Sequence, residues 1–239
     1  MYKPRNYRKW TKADDLVYFE VTEKETDLAV YADSDLKNMT RDAVSQLRHD
    51  LESYIRADPD FFSSLEPLEL KDSAPEIARV MARAAKKAGV GPMAAVAGAF
   101  SDFIGRELLK SSKQVIIENG GDIFISSLIP RTIGVYAGEE SPFTGRLAIS
   151  VESAKNGLGV CTSSGTVSHS LSFGRTDATL IISDSAALAD AAATAAGNAV
   201  KSKDDIEKGI AVARTIEGVK GVLIIVGDKL GTWGSIKLV

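Results

Sequence analysis

Residues Glu118–Phe124 read ENGGDIF and lie between the short apolar runs Val115–Ile117 and Ile123–Ile125. The fold class depends on what Asn119-Gly120-Gly121-Asp122 does to the chain. Asn and Gly tolerate positive φ, so the four residues suit a tight hairpin turn between two buried strands. Paired glycines also bare backbone N–H groups and leave room for a planar or phosphate-bearing ligand, with Asn119 and Asp122 facing the same cleft. Both readings stand on this stretch alone.

Strands at Val115–Glu118 and Ile123–Ser127 follow from either reading, and further strands are expected at Thr132–Ala137, Leu147–Val151, Leu158–Thr162 and Thr179–Ser183. Upstream, Leu16–Glu23 and Thr26–Ala32 alternate apolar with polar residues and join near Lys24-Glu25 as a hairpin. Apolar residues at Leu36, Met39, Val44, Leu47, Leu51, Tyr54 and Ile55 recur at helical spacing, predicting one long helix over Ser34–Ala57 that stops at Asp58-Pro59. Ser73 is the expected cap of a second helix, with Pro75 and Glu76 in its first turn, running to Gly89. Pro92 opens a third helix, Met93 to about Lys110, rich in small residues. Helices at Ala186–Val200 and Asp204–Ile216, then strands at Val222–Val226 and Ser235–Leu238, close the chain. Helices and strands come in blocks, which predicts an α+β fold of mixed or antiparallel sheets packed with helices rather than a doubly wound parallel sheet.

Bulk properties limit the function. A chain of 239 residues with 44% hydrophobic and 26% charged residues can bury roughly 70% of its unfolded surface. No linker or repeat divides it, so one domain over residues 1–239 is expected. A net charge of -3 gives no global basic field, which argues against nucleic acid as a partner. No apolar run reaches the length of a bilayer span and no export signal follows MYKPRNYRKW, so no membrane contact and a cytoplasmic location are expected. A single cysteine, Cys161, excludes an intrachain disulfide and a multi-cysteine metal site from one chain.

Besides ENGGDIF, two stretches could carry chemistry. In SDSAALADAAATAAGNAV, residues 183–200, nine of the residues from 186 to 199 are alanine, so the helix backbone must approach its neighbours closely. Asp190, Thr194 and Asn198 recur every four residues and share a face. This is either a polar solvent-facing stripe or a set of hard oxygen ligands for Mg²⁺. In GVCTSSGTVSHSLSFGR, residues 159–175, hydroxyls surround Cys161 and His169, the candidate catalytic pair. A nucleophile needs a base within hydrogen-bond reach, which eight residues of separation do not establish. A buried small cysteine and an anion-cradling Ser/Thr/Gly loop are the alternatives. Gly89-Val90-Gly91-Pro92-Met93-Ala94 copies G-x-G-x-x-A, but a helix precedes it, so it is not a dinucleotide fingerprint.

The order of these segments, Asn119-Gly120-Gly121-Asp122, then Val160-Cys161-Thr162-Ser163-Ser164-Gly165, then Leu188-Ala189-Asp190-Ala191-Ala192-Ala193-Thr194, resembles the ApbE superfamily over about Gly89 to Val200. Its members include FAD-dependent FMN transferases and FAD pyrophosphatases. The resemblance implies a flavin-nucleotide site with FAD or a related nucleotide as ligand and Mg²⁺ as metal. It implies Asp190 and Thr194 as metal ligands, helped by a carbonyl within Ala95–Ala99, and Asn119, Gly120, Gly121, Asp122, Thr162, Ser163, Ser164 and Gly165 as nucleotide-binding residues. A homodimer in which a second subunit completes the site is also compatible. The departures matter: the His-x-x-Asp-Pro-Arg-Thr-Gly segment is replaced by His169-Ser170-Leu171-Ser172-Phe173-Gly174-Arg175-Thr176-Asp177, and Phe100 follows Ala97-Gly98-Ala99 where a lysine is usual. What remains is similar to a short ApbE-related branch of anaerobic bacteria and archaea linked with sulfur assimilation. The alternative is therefore a non-flavin role in sulfur metabolism, in which Cys161 carries or relays sulfur in an electropositive setting supplied by His169 or Arg175, or the protein assists partner enzymes.

Overall fold

Asn119 and Asp122 face each other across a two-residue turn, so the ENGGDIF stretch is a hairpin. Gly120 and Gly121 take φ of 68° and 105°, the left-handed values that such a turn demands and that a side chain would resist. The computed structural model describes residue 8 and residues 13–152, 157–166 and 173–239.

The hairpin lies inside an eight-stranded sheet whose strands follow one another almost in chain order. β1 (Val17–Glu23), β2 (Thr26–Ala32), β3 (Val115–Asn119), β4 (Asp122–Ser126), β7 (Leu158–Ser163), β8 (Ala178–Ser183), β9 (Val219–Val226) and β10 (Lys229–Gly234) pair in that order. Every neighbouring pair is antiparallel. β5 (Arg131–Gly134) and β6 (Ala148–Val151) form a second, two-stranded sheet. The α+β expectation holds.

Two helical excursions leave this meander. Between β2 and β3 run α1 (Lys37–Ala57), the short α2 (Asp60–Ser63), α3 (Glu76–Ala88) and α4 (Val96–Leu108), the last entered through a 3₁₀ turn at Pro92–Ala95. Between β8 and β9 run α5 (Ala186–Asn198) and α6 (Ile206–Thr215). Strand alternation sends successive residues to opposite faces. Ile117 packs among α1, α3 and α4, and Phe124, Cys161, Ile181 and Ile224 pack under α5 and α6. Ile116, Ile123, Ile125, Leu180 and Ile225 meet Ile133 and Ile149 of the small sheet on the other side. The sheet is thus covered on both faces.

α5 is the element enclosed most completely, touching α3, α4, α6, β7 and β8. This is why it is built of alanine: a helix hemmed in on all sides has no face on which large side chains fit. At Gly98 of α4 a methyl group would stand 2.2 Å from the Ala186 carbonyl oxygen, so glycine is the residue that lets α4 and α5 touch.

Two local expectations are corrected. Ser73 does not cap α3, whose N-cap position is held by Pro75 with no side-chain hydrogen bond. β10 lies at Lys229–Gly234, whereas Ser235–Leu238 is an extended segment bridging β6 through Ile149 and Leu238. Two glycines among its six residues disguise β10. Gly231 is needed there because Ile206 of α6 sits 2.5 Å from where its Cβ would be. Among the described residues no single helix is long and apolar enough to cross a membrane. α3 with Pro92–Leu108 reaches that length and composition only as a pair bent by 102°, and both elements lie in the core.

Candidate functional site

Four elements meet at the β3–β4 turn. α4 begins beside it, and the Asn119 side-chain amide donates to the Ala97 carbonyl at 3.2 Å. The next residue of α4, Gly98, donates its amide to Asp190 Oδ2 of α5 at 2.9 Å. β7 lies on the turn's other side, with the Thr162 N–H donating to the Gly121 carbonyl at 3.2 Å. Ser101, one turn further along α4, donates to the Asp122 carbonyl at 3.0 Å. The motifs singled out in sequence therefore converge in space.

The site is acidic and largely buried. Asp122 is 8% exposed, and its Oδ1 finds no hydrogen-bond partner among the described residues. Burial raises the Asp122 carboxyl well above the usual range, and the negative charge of Asp190 raises it further. Burial also pushes Asp190 up to about 7, against the lowering effect of the Gly98 and Ala97 amides. Two carboxyls so placed cannot both ionise freely without a counter-charge.

Asp102, which sequence reasoning passed over, joins this group from α4. It is 4% exposed and accepts the Ala187 N–H at the start of α5 through Oδ2 at 2.9 Å, while its Oδ1 has no hydrogen-bond partner among the described residues. Burial raises its carboxyl too. The signal was present in Ser101-Asp102, a polar pair inside a run of small and apolar residues that the helix buries.

Cys161 sits beneath the carboxylates with 0% exposure, its thiol 3.2 Å from the Ala186 carbonyl oxygen. Burial pushes the thiol well up, and Asp122, Asp190 and Asp102 push it further. A reactive thiolate needs the opposite setting, electropositive and accessible. His169 lies outside the described residues, and Arg175 is exposed.

The Ser-rich segment is held by its own loop. Thr162 and Ser163 are half-buried on β7, the Gly165 N–H donates to the Thr176 carbonyl at 2.9 Å, and the Ser164 hydroxyl reaches the same carbonyl at 3.3 Å. Thr194 is half-buried one turn beyond Asp190. Asn198, the third member of that stripe, accepts the Phe173 N–H at 2.8 Å and so anchors the loop.

The convergence at Ser101 is open to measurement. A net hydrogen bond contributes about 1 kcal/mol, so Ser101→Ala should lower the melting temperature by roughly 2–4 °C. An unchanged melt would show that Ser101 does not tie α4 to the turn.

A family model described as AbpE bacteria matches residues 8–220. The chain is 42% identical over 223 residues to a UPF0280 protein of Methanococcus maripaludis (strain C5), covering 91% of this chain and 90% of that protein. It is 42% identical over 216 residues to a UPF0280 protein of Methanosarcina acetivorans, covering 89% and 85%. Among solved structures it is similar in fold to the Pseudomonas stutzeri flavinyl transferase ApbE, apo form, with a TM-score of 0.60 at 14% identity over 94% of each chain. The flavin transferase ApbE from Vibrio cholerae gives a TM-score of 0.55 at 14% identity, covering 94% of this chain and 97% of that one.

Proposed function

From the premise that this chain belongs to the ApbE-like family described as AbpE bacteria, we propose that it binds FAD or a related nucleotide together with Mg²⁺. We further propose that it cleaves the nucleotide or transfers part of it. The observation that carries this reading is the junction of Gly98, Asp190, Asn119 and Asp122 beside the glycine turn, where a buried carboxylate oxygen of Asp122 has no hydrogen-bond partner among the described residues. A buried polar atom without a partner calls for one.

The donors present fit the metal. Among the described residues no three His, Cys, Asp or Glu side chains form a metal-ligand group. A cation would draw on the Asp190 carboxylate, the Thr194 hydroxyl and a carbonyl near Ala97, with nucleotide phosphates completing its shell. That mixture of hard oxygens suits Mg²⁺. Mg²⁺ bound there would neutralise pyrophosphate charge. The chain's own share is placement: Gly98 fixes Asp190 through its amide, Ala97 fixes Asn119, and the Gly120-Gly121 turn offers a surface without side chains for the nucleotide to approach. Hydrolysis of FAD would consume one water and release FMN and AMP.

Calorimetric titration of the metal-stripped chain with FAD, FMN and ADP, with and without Mg²⁺, tests the proposal. Saturable FAD binding that requires Mg²⁺ is expected, with FMN and AMP as the products to assay. Failure of all three to bind under either condition would overturn it.

A further inference from the structure

Arg8 is far from the site in sequence and joined to it in space. Its side chain is 9% exposed. Nε donates to Glu118 Oε2 at 2.6 Å, Nη2 to the Asp27 carbonyl at 2.7 Å, and Nη1 to Asp27 Oδ1 at 3.2 Å and Glu20 Oε1 at 3.3 Å. The Tyr31 hydroxyl donates to the Arg8 carbonyl at 3.3 Å. Both the main chain and the side chain of Arg8 are therefore pinned across β1, β2 and β3.

The second oxygen of Glu118 completes the connection. Oε1 accepts the Gly121 N–H at 2.8 Å, so one carboxylate holds the arginine on one side and the ligand turn on the other. A planar guanidinium suits this because its donors are preorganised as a fork, which an ammonium cannot copy. Loss of Arg8 would take from Glu118 the guanidinium that holds its Oε2, beside Asp122, whose carboxyl Glu118 already pushes up, and removing one partner of a buried ion pair is costly. The easiest relief is for Glu118 to swing toward solvent, releasing Gly121.

We propose that Arg8 is a positioning residue of the nucleotide site, fixing the Asn119–Asp122 turn through Glu118. The inference rests on the reading that the turn receives the nucleotide.

Two measurements on the full chain test it. The first is hydrogen exchange of the Gly121 amide without ligand or metal. Arg8→Ala should speed it by tenfold or more relative to the α5 amides, with partial recovery in Arg8→Lys. The second is calorimetry with FAD at saturating Mg²⁺, where Arg8→Ala should weaken binding about tenfold while the affinity for Mg²⁺ alone stays within twofold. Unchanged Gly121 exchange overturns the strap. So does a parallel loss of FAD affinity, Mg²⁺ affinity and melting temperature, which would mark a general structural role. Faster Gly121 exchange in the variant, with no FAD binding by the unsubstituted chain, retains the strap and overturns only the nucleotide reading.

Discussion

Asp190→Asn is expected to make the metal-free chain more heat-stable at pH 8 while abolishing Mg²⁺-dependent nucleotide binding. The Asp190 carboxyl is pushed from 3.8 to about 7 in the folded chain. Between those values the folded state keeps a proton that the unfolded state has lost, so stability declines as pH rises through the window. The benefit of a neutral carboxyl is complete below about 4 and gone above about 7. Asparagine keeps an oxygen for the Gly98 amide and never ionises. The full shift corresponds to about 4 kcal/mol, which partial solvent access and sharing with Asp122 reduce to about 1–3 kcal/mol. A rise of roughly 3–10 °C at pH 8 follows, shrinking at pH 5. Coincident melts of the two chains at pH 8 in chelator would show that Asp190 is not held against its charge.

Gly98→Ala should do the reverse, with a large loss of stability. Its Cβ would stand 2.2 Å from the Ala186 carbonyl oxygen and 2.9 Å from Asp190 Cβ. Neither neighbour is the free end of a flexible chain, and α5 cannot retreat, because Gly159 of β7 is packed equally close to Ala186 on another side. The helices must separate, stretching the 2.9 Å bond from the Gly98 amide to Asp190. Overpacking of this kind typically costs 1–3 kcal/mol and occasionally more. About 3 kcal/mol is expected here, or roughly 6–12 °C in melting temperature, with weaker Mg²⁺ binding. An unaltered urea midpoint would mean that α4 and α5 are not in backbone contact.

These two sites show what sequence made legible. The meander strands from Val115 to Val226 announce themselves because β-branched and aromatic runs are bounded by turn residues, and the alanine count of α5 already implies a helix enclosed by neighbours. The resemblance placed Asp190 and Asn119–Asp122 in one site, and the geometry brings them together. β10 was hidden because its residues were chosen to fit under α6, a tertiary demand that overrides strand propensity. Asp102 was missed although the polar pair Ser101-Asp102 stands out in a run of small and apolar residues, because the partner that fixes its role, the Ala187 N–H, lies 85 residues away. Arg8 was hidden because its partner Glu118 lies 110 residues away, and no periodicity reports a contact of that range.

The seating of α5 also bears on how the molecule opens. β1–β4 with α1–α4 form one half of the sheet and its covering, and β7–β10 with α6 form the other. Between them lie the β4–β7 ladder and α5, which packs against α3 and α4 on one side and β8 and α6 on the other. Asp122 begins β4, Cys161 lies opposite it on β7, and Asp190 projects from α5, so the acidic cluster falls on the join. Partial unfolding that parts the halves must expose it, and a cation or nucleotide seated there favours the closed form by mass action. Occupancy should therefore appear as slower hydrogen exchange along β4, β7 and α5 together, with the outer strands β1 and β10 fraying as before.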